Sequence, residues 1–331
     1  METVVGGILN KFKVKSRRST LFFEDILADY IKMCEDAGYE KEMGLIGQKW
    51  GMLGTQQLGP TSLKKRFPPS LCLNVFVKKV WINIGLLDDY YFFKKGNVIK
   101  IKTKNEFITR IIGKNEFVTA IHKGILNVMF QQEPRITGIT QTKQFAQHNF
   151  ELDGHPFDFK FKEKTTYDQL NHLPKIRGFI LKDALKKNIF QLKENNRIYF
   201  RGKSICLIEN TLFHIISNQG PLLEKVHHIS YSYFDKIIEK DASDNRKLIL
   251  LKTLLQIMGW GIVNILFEKN KIIIEIKNPS YGLQIEKDNW DFLIRVILGY
   301  LWLLNKDFEI TDINIGYKNL VITYSLKSEP K

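Results

Sequence analysis

The spacing of hydrophobic positions changes repeatedly along the chain, and these changes predict alternating helices and strands. Apolar side chains recur every three or four residues in segments 21–37, 70–84 and 116–130, which is the period of an amphipathic helix. Segments 98–103, 138–152 and 308–315 alternate apolar and polar residues instead, which predicts strands. Helical periods also cover 205–217 and 246–258. We therefore predict an α+β protein in which antiparallel sheets pack against several helices.

Segment 258–304 organises the second half of the chain. It contains a glycine-aromatic turn, two strands joined near Asn270, a connector, and an apolar helix over 290–304. A degenerate copy lies 174 to 175 residues earlier, with the same order of helix, glycine, strand, turn, strand, connector and helix. The matched positions are Gly85 with Gly259, Ile99 with Ile273, Phe117 with Phe292, and Gly124 with Gly299.

This internal copy indicates a duplicated domain. We predict a first domain over 1–165, a polar linker over 166–178, and a second domain over 179–331. Chance alignment of common helix and hairpin patterns is the alternative, because identical residues are few.

Four glycines at spacings of three and four mark the segment 44–54. On a helix, Gly44, Gly47, Gly51 and Gly54 would lie on one narrow face. Such a face costs about 0.5–1 kcal/mol per glycine relative to alanine, and it allows another backbone to approach closely. An irregular glycine loop is the alternative.

The charge balance raises a second class of function. The 331 residues carry a net charge of +15, which is typical of proteins that bind polyanions. However, lysine outnumbers arginine 40 to 10, and arginine is the better bidentate ligand for phosphates and bases. We therefore favour a solvated lysine surface and keep nucleic-acid binding, through segments 11–18 and 64–66, as the alternative.

Other features of the composition narrow the setting. Cys34, Cys72 and Cys206 are too few and too scattered for a disulfide framework or a zinc site. No run of about 18 uncharged apolar residues predicts a membrane span. We expect a cytoplasmic protein of archaeal or bacterial type.

The second half resembles the vinyl-reductase, or hydrocarbon-binding, domain family, whose relatives include the vesicle-tethering TRAPP subunits. The resemblance rests on NRIYFRGKSICLIENTLFHII, LLQIMGWGIVNILFEKNKIIIEI and NWDFLIRVILGYLWLL. In the first half, segment 44–54 is similar to the glycine-bearing second helix of the family, so two degenerate tandem copies would cover most of the chain.

The resemblance implies an apolar ligand among the helices or between helices and sheet, and a homodimer or an internal pseudo-dimer of the two copies. Family members often carry cysteines near the last two strands, whereas ITDINIGYKNLVITYS has none. A metal or thiol role there is therefore in doubt.

No catalytic motif is recognisable. His227 and His228 point about 100° apart on a helix and cannot share a metal ion as an i, i+4 pair could. We expect His122 and His214 to be surface or capped histidines. Aromatic residues at helical spacing are usually core, but clustered near glycines they can also line a pocket. The candidate ligand-binding residues are Trp50, Trp260, Trp290, Phe292, Arg295, Tyr300 and Trp302, with Asn264 as a further polar group.

The sequence therefore predicts a non-catalytic protein that binds a small apolar ligand, with no metal site and no identified cofactor. A nucleic-acid-binding or assembly protein is the second hypothesis. A cofactor-dependent enzyme of reductase type is the third.

Overall fold

The computed structural model describes residues 19–58, 68–157, 180–193, 196–268, 270–280, 289–316 and 319–327. Within them the chain forms ten α-helical segments and three four-stranded antiparallel sheets, so the predicted α+β class is confirmed. None of the described helices is long and apolar enough to cross a membrane.

The first half begins with a strand, three helical segments and a hairpin. Their bounds are β1 (Ser19–Phe23), α1 (Glu24–Asp36), α2 (Glu40–Leu58), α3, β2 (Asp89–Lys95) and β3 (Val98–Lys104). Segment α3 consists of Pro69–Leu71, a π-helical stretch Cys72–Val77, and Lys78–Asn83. The half continues with α4 (Thr109–Ile112), α5 (Glu116–Phe130), β4 (Gln132–Gln141) and β5 (Phe145–Pro156).

The second half has three short elements and then the same order of helices and hairpins. Its elements are α6 (Leu181–Lys186), β6 (Phe190–Leu192), β7 (Ile198–Phe200), β8 (Lys203–Glu209), α7 (Thr211–Gln219), α8 (Val226–Ile237), α9 (Asp244–Ile257), β9 (Ile262–Glu268), β10 (Lys271–Lys277), α10 (Asp291–Leu301), β11 (Phe308–Gly316) and β12 (Asn319–Leu326).

Two of the sheets have the same topology. The first-half sheet has the order β2-β3-β5-β4 and the second-half sheet has the order β9-β10-β12-β11. In each, one helix, α5 or α10, connects two hairpins. The inner face of each sheet carries buried apolar residues, such as Ile99 and Ile101 in β3 and Ile272 and Ile274 in β10.

The predicted overlay of the two halves is wrong by one residue within the hairpins. Ile99 is buried, but Ile273 lies on the opposite face of its strand from the buried Ile272 and Ile274. Strands β3 and β10 therefore correspond at an offset of 173, whereas Gly124 and Gly299 differ by 175. A one-residue shift moves every side chain to the other face of a strand, so the correct offset is the one that keeps both buried sets inside.

The third sheet joins the two halves. Strand β1 pairs antiparallel with β8, and Leu21 and Leu207 are opposite each other at the centre of the pairing. Strand β1 leads into α1 and β8 leads into α7; α1 contacts α8, and α7 contacts α2. The helix that follows each of these two strands therefore packs against a helix of the other half. The predicted linker lies outside the described residues, and the division into two domains stays a prediction.

The helices predicted over 21–37 and 205–217 are wrong at their beginnings, because residues 21–23 and 205–209 belong to β1 and β8. Both strands are apolar runs without strict alternation, and they pair with each other across almost 190 residues of sequence. Local periodicity could therefore not identify them. The segment predicted as one strand over 138–152 is part of the hairpin β4–β5.

Glycines allow two pairs of helices to cross at backbone contact. A Cβ atom added to Gly51 in α2 would lie 2.3 Å from the carbonyl oxygen of Ile121 in α5, and one added to Gly124 would lie 2.1 Å from that of Gln48. In the second half, a Cβ atom on Gly299 of α10 would lie 2.3 Å from the carbonyl oxygen of His227 in α8. The predicted glycine-faced helix is confirmed, and the loop alternative is wrong.

The carboxylate of Glu35 in α1 holds the beginning of α5. It accepts hydrogen bonds from the backbone N–H groups of Glu116 at 2.9 Å and Phe117 at 3.1 Å. Burial, and to a smaller extent the nearby charges of Glu116 and Glu40, raise the pKa of Glu35 to about 7, although the two N–H donors favour the ionised form.

The substitutions Gly51→Ala and Gly299→Ala are expected to destabilise the fold by about 2–3 kcal/mol each, because the backbone atoms they meet cannot move independently. Gly54→Ala is the matched control, since no described atom outside its own helix lies within 4 Å of its added Cβ. It should be neutral or stabilising by up to about 1 kcal/mol through helix propensity. Chemical denaturation of the three variants measures the difference, and equal losses in all three would contradict the close crossings.

Removal of the Glu35 charge should change how stability depends on pH. The folded pKa of about 7 lies above the unfolded value of 4.5, so the stability contributed by protonated Glu35 is complete below pH 4.5 and is lost as the pH rises to about 7. Wild type should therefore lose stability relative to Glu35→Gln across this window, as measured by melting temperature. Asp36→Asn, which removes an exposed charge from the same helix, is the control. A constant difference between wild type and Glu35→Gln would contradict the raised pKa.

Candidate functional site

The predicted ligand-binding residues lie in several places, not around one pocket. Trp260 and Phe292 pack against Phe22 and Phe213 in the core where β1 meets the second half, with ring centroids 5.2–6.1 Å apart. Trp290 donates to the carbonyl oxygen of Ser280, also inside the second half.

The remaining predicted residues are separated from this core. Trp302 is near the surface and donates to the carbonyl oxygen of Phe308, and Arg295 pairs with Asp291 on the same helix. Asn264 donates to Glu275 on the exposed face of the second-half sheet. Trp50 lies in the first half against Phe107.

Two cavities adjoin these residues. The first, about 20 Å³ in volume, is lined by Trp260, Tyr300 and aliphatic residues of α9 and α10. Its volume matches one water molecule, far less than a hydrocarbon chain. The second, about 200 Å³, is a polar surface pocket beside Trp302 and Lys247. The assignment of an apolar ligand to these residues stays a prediction.

A more distinctive arrangement lies between α5 and the first-half sheet. Glu106, His122 and His148 are at most 1% exposed, and one potential ligand atom from each lies within 4.8 Å of the others. The Nε2 atom of His122 is 2.6 Å from Oε1 of Glu106, and Nε2 of His148 is 3.2 Å from Oε2. We call these three residues the Glu106 cluster.

Three different elements position the Glu106 cluster. His122 lies on α5, two residues before the crossing glycine Gly124. His148 lies on β5, on the inner face that also carries Ala146 and Phe150. Glu106 comes from the short loop between β3 and α4.

The loop that carries Glu106 has a strained backbone. Asn105 and Ile108, on either side, have φ angles of 48° and 63°, and a positive φ is rare for a β-branched residue such as isoleucine. The conformation persists because neighbouring groups hold it: Ile108 N–H donates to Glu24 at 3.0 Å, and Arg110 donates to the Asn105 carbonyl at 3.2 Å. Strain of this kind often accompanies functional sites.

The electrostatics favour an ionised Glu106 beside a neutral His122. Burial opposes ionisation of Glu106, but the positive charges that His122 and His148 carry when protonated, together with their hydrogen bonds to the carboxylate, outweigh it and hold the pKa of the carboxyl below its usual range. Burial lowers the pKa of His122 against the attraction of Glu106. These are the protonation states in which carboxylate and imidazole bind metal ions.

Hydrogen bonding fixes His148 more completely than His122. The Nδ1 atom of His148 is 3.0 Å from the hydroxyl of Thr119, which Gln141 also contacts at 3.5 Å. The Nδ1 atom of His122 is buried and has no hydrogen-bond partner among the described residues. An unsatisfied buried polar atom of this kind costs about 1–3 kcal/mol.

Further polar atoms around the cluster lack partners among the described residues: the hydroxyls of Tyr90 and Thr103 and the indole nitrogen of Trp50. Tyr90 and Thr103 are opposite each other on β2 and β3, and both are buried. Trp81 and Tyr90 contact the ring of His122 at 5.4 and 6.0 Å, and Trp50 joins this group through Phe107. The surroundings of the Glu106 cluster are therefore unusually polar and incompletely paired for a protein interior.

The contacts of Thr119, His148 and Glu106 follow the order of a nucleophile, base and carboxylate. Thr119 is 0% exposed in the middle of α5, so no substrate reaches its hydroxyl in this conformation. Acyl transfer is therefore not supported. Two imidazoles and a carboxylate are also the ligand set of many zinc and non-haem iron sites.

The described residues of the second half contain no equivalent cluster. The residue two positions before Gly299 is Ile297, in the place of His122. His148 pairs with Ile101, and the corresponding Ile274 pairs with Ile322. Ile297 and Ile322 are buried, so apolar side chains occupy the positions that His122 and His148 have in the first half. Polar side chains at these two positions are thus specific to the first half.

The sequence pattern does not identify the Glu106 cluster, and the expectation of a surface histidine is wrong for His122, which is buried and bonded to Glu106. A partial signal was present, because His148 occupies an apolar position in the alternation of Phe145–Pro156, and His122 lies between apolar residues on α5. Nothing in the local pattern marks Glu106.

Comparison with known proteins adds no identification. No protein-family model matches this chain, and no curated protein matches it significantly. The fold and the cluster therefore define the class of protein: α+β, with two sheets of one topology and a buried glutamate–histidine group in the first.

Proposed function

We propose that this protein binds a divalent transition-metal ion through Glu106, His122 and His148, and that the ion clamps the Glu106 loop, α5 and β5 together. The observation that carries the proposal is the convergence of three buried ligand side chains within 4.8 Å. Nitrogen ligands favour zinc, cobalt or ferrous ions over magnesium or calcium.

The distances support this assignment with small adjustments. Metal–ligand bonds of about 2.0–2.2 Å place neighbouring ligand atoms of a tetrahedral site about 3.4 Å apart. The separation of 3.2 Å between Nε2 of His148 and Oε2 of Glu106 is close to this value. The separation of 2.6 Å between Nε2 of His122 and Oε1 of Glu106 needs to widen by about 0.8 Å, which requires the side chains to shift when the ion binds.

The surroundings also support a bound ion. Thr119 holds the second nitrogen of His148, as outer groups commonly orient metal-ligating histidines. The hydroxyl of Tyr90, which has no hydrogen-bond partner among the described residues, lies near Glu106. The negative charge of Glu106 adds to burial in raising the pKa of this phenol. A fourth ligand, either this hydroxyl or a water molecule, would complete a tetrahedral site. Since the cluster is closed, we propose a structural or sensing role for the ion, not catalysis.

The apolar ligand predicted from the sequence would require the core around Trp260 to open, because the cavity there has a volume of about 20 Å³. No observation favours it over the metal, and it remains the second hypothesis for the second half.

Metal addition tests the proposal. Chelator-treated protein should bind one Zn²⁺ or Co²⁺ per chain, with a rise in melting temperature, because a ligand at 100 times its Kd stabilises the folded state by about 2.7 kcal/mol. Mg²⁺ should have no effect. Calorimetric titration measures the stoichiometry, and the visible absorption of bound Co²⁺ reports nitrogen and oxygen coordination.

Variants assign the site. Glu106→Gln and His148→Gln should abolish the thermal shift, whereas Thr119→Val, which keeps all three ligands, should weaken binding about 10- to 100-fold. His214→Gln is the control, since His214 is a buried histidine of the second half, bonded to Asn289 and Ser280. Absence of a shift in wild type, or an unchanged shift in Glu106→Gln and His148→Gln, would refute the proposal.

A further inference from the structure

The outer face of the first-half sheet has a regular arrangement of aromatic and basic side chains. Tyr91, Phe93 and Phe145 are 55%, 42% and 41% exposed, although aromatic rings are normally buried. In the strand register, Tyr91 is opposite Lys102, Phe93 is opposite Lys100, and Phe145 is opposite Lys104. Each exposed ring thus has a lysine as its direct neighbour across the strands.

The spacing of this face suits a chain of stacked rings. Tyr91 and Phe93 are two residues apart on β2, so their side chains leave the same face about 7 Å from each other. Directly opposite residues on neighbouring strands have Cβ atoms about 4.5–5.5 Å apart. The ammonium group of each lysine can therefore reach the edge of a ligand that is stacked on the opposite ring. The amides of Gln147 and Asn149 continue the rows of Lys102 and Lys100.

The charge of the face is positive and largely uncompensated. Its acidic residues already have partners: Asp89 pairs with Lys78 at 2.6 Å, and Glu151 pairs with Arg135 at 2.5 Å. Lys95, Lys100, Lys102 and Lys104 form no ion pair with another described residue. Lys104 lies opposite Asp89 and adds to the hydrogen bond from Lys78 in lowering the pKa of that carboxyl, so the ammonium groups of Lys95, Lys100 and Lys102 are the ones left wholly available to an anionic partner.

The equivalent face of the second-half sheet provides an internal comparison. Its outward residues include Leu266 and Ile273 but no aromatic side chain, and its charged residues are Glu268, Lys271, Glu275, Lys277, Glu309 and Asp312. This face carries more acidic than basic groups. The aromatic and basic pattern is therefore not a general property of the fold or of the lysine-rich composition.

We propose that the outer face of the first-half sheet, formed by β2, β3 and β5, binds single-stranded nucleic acid. Bases stack on Tyr91, Phe93 and Phe145, and the intervening phosphates contact Lys100, Lys102 and Lys104. Sheets bearing exposed aromatic residues are an established platform for unpaired bases, and stacking tolerates any base. Duplexes are excluded because their bases are already stacked.

Binding of a labelled 20-nucleotide oligouridylate to the full chain, followed by fluorescence anisotropy, tests this proposal. The logarithm of the association constant should fall with the logarithm of salt concentration with a slope of about −2, as about 0.7 counterions are released per phosphate contact and three lysines make such contacts. The variant Lys100→Ala/Lys102→Ala should reduce the magnitude of this slope by about 1.4. A duplex of equal length should compete poorly.

The aromatic rings provide the decisive variants. Removal of one stacked ring lowers affinity by roughly 5- to 150-fold, so Tyr91→Ala/Phe93→Ala should weaken binding by about 25-fold or more. All these side chains are exposed, and melting temperatures should stay unchanged. Leu266→Ala/Lys271→Ala, on the second-half face, is the matched control and should bind as wild type does.

Three results would overturn the proposal. They are absence of oligouridylate binding, equal competition by the duplex, and unchanged affinity in Tyr91→Ala/Phe93→Ala. The last result would assign binding to other basic segments of the chain.

Discussion

The buried carboxylate of Glu24 is the contact on which both the assembly of the halves and the Glu106 cluster depend. Glu24 is 0% exposed and pairs with Arg110 at 2.5 Å. It also accepts from the backbone of Ile108 at 3.0 Å and from Ser204 of β8 at 2.6 Å. The same side chain thus holds the strained loop of the first half and a strand of the second. Loss of one partner from such a buried pair typically costs 3–5 kcal/mol, because the remaining charge is uncompensated.

The two halves share a backbone plan but differ in what they enclose and expose. Both require a glycine where the central helix crosses its neighbour, because the approach brings backbone atoms into contact: Gly124 against α2 and Gly299 against α8. The interior side chains are less constrained. Between its central helix and its sheet, the first half places His122 and His148, and the second half places Ile297 and Ile322. A polar interior is tolerated only where partners for the polar atoms exist, so the two histidines depend on the loop that supplies the Glu106 carboxylate.

Prediction from the sequence succeeded where local chemistry determines the structure. Helix α5 begins and ends where the apolar period does, and the hairpin β2–β3 follows the alternation of its residues and the turn at Gly96. It failed at β1 and β8, whose apolar runs resemble helix as much as strand. Only their pairing with each other, 184 residues apart at Phe22 and Cys206, decides in favour of a strand. The aromatic residues around Trp260 were predicted to be core or pocket, and the packing of Phe22 and Phe213 against Trp260 leaves a cavity of about 20 Å³ there.

The sequence by itself determined the α+β class, most helices and hairpins, the glycine-faced helix and the repeated order of elements, because each depends on periodicity or on backbone preferences within a few residues. The tertiary structure alone decided which polar side chains meet. Glu106 is 16 residues from His122 and 42 from His148, and their contact requires a strained loop, a helix and a strand to converge. It also decided that the lysines of β3 stand beside exposed rings of β2 and β5, because strand register is a relation between segments. Both candidate sites arise from such long-range relations, which no local pattern encodes.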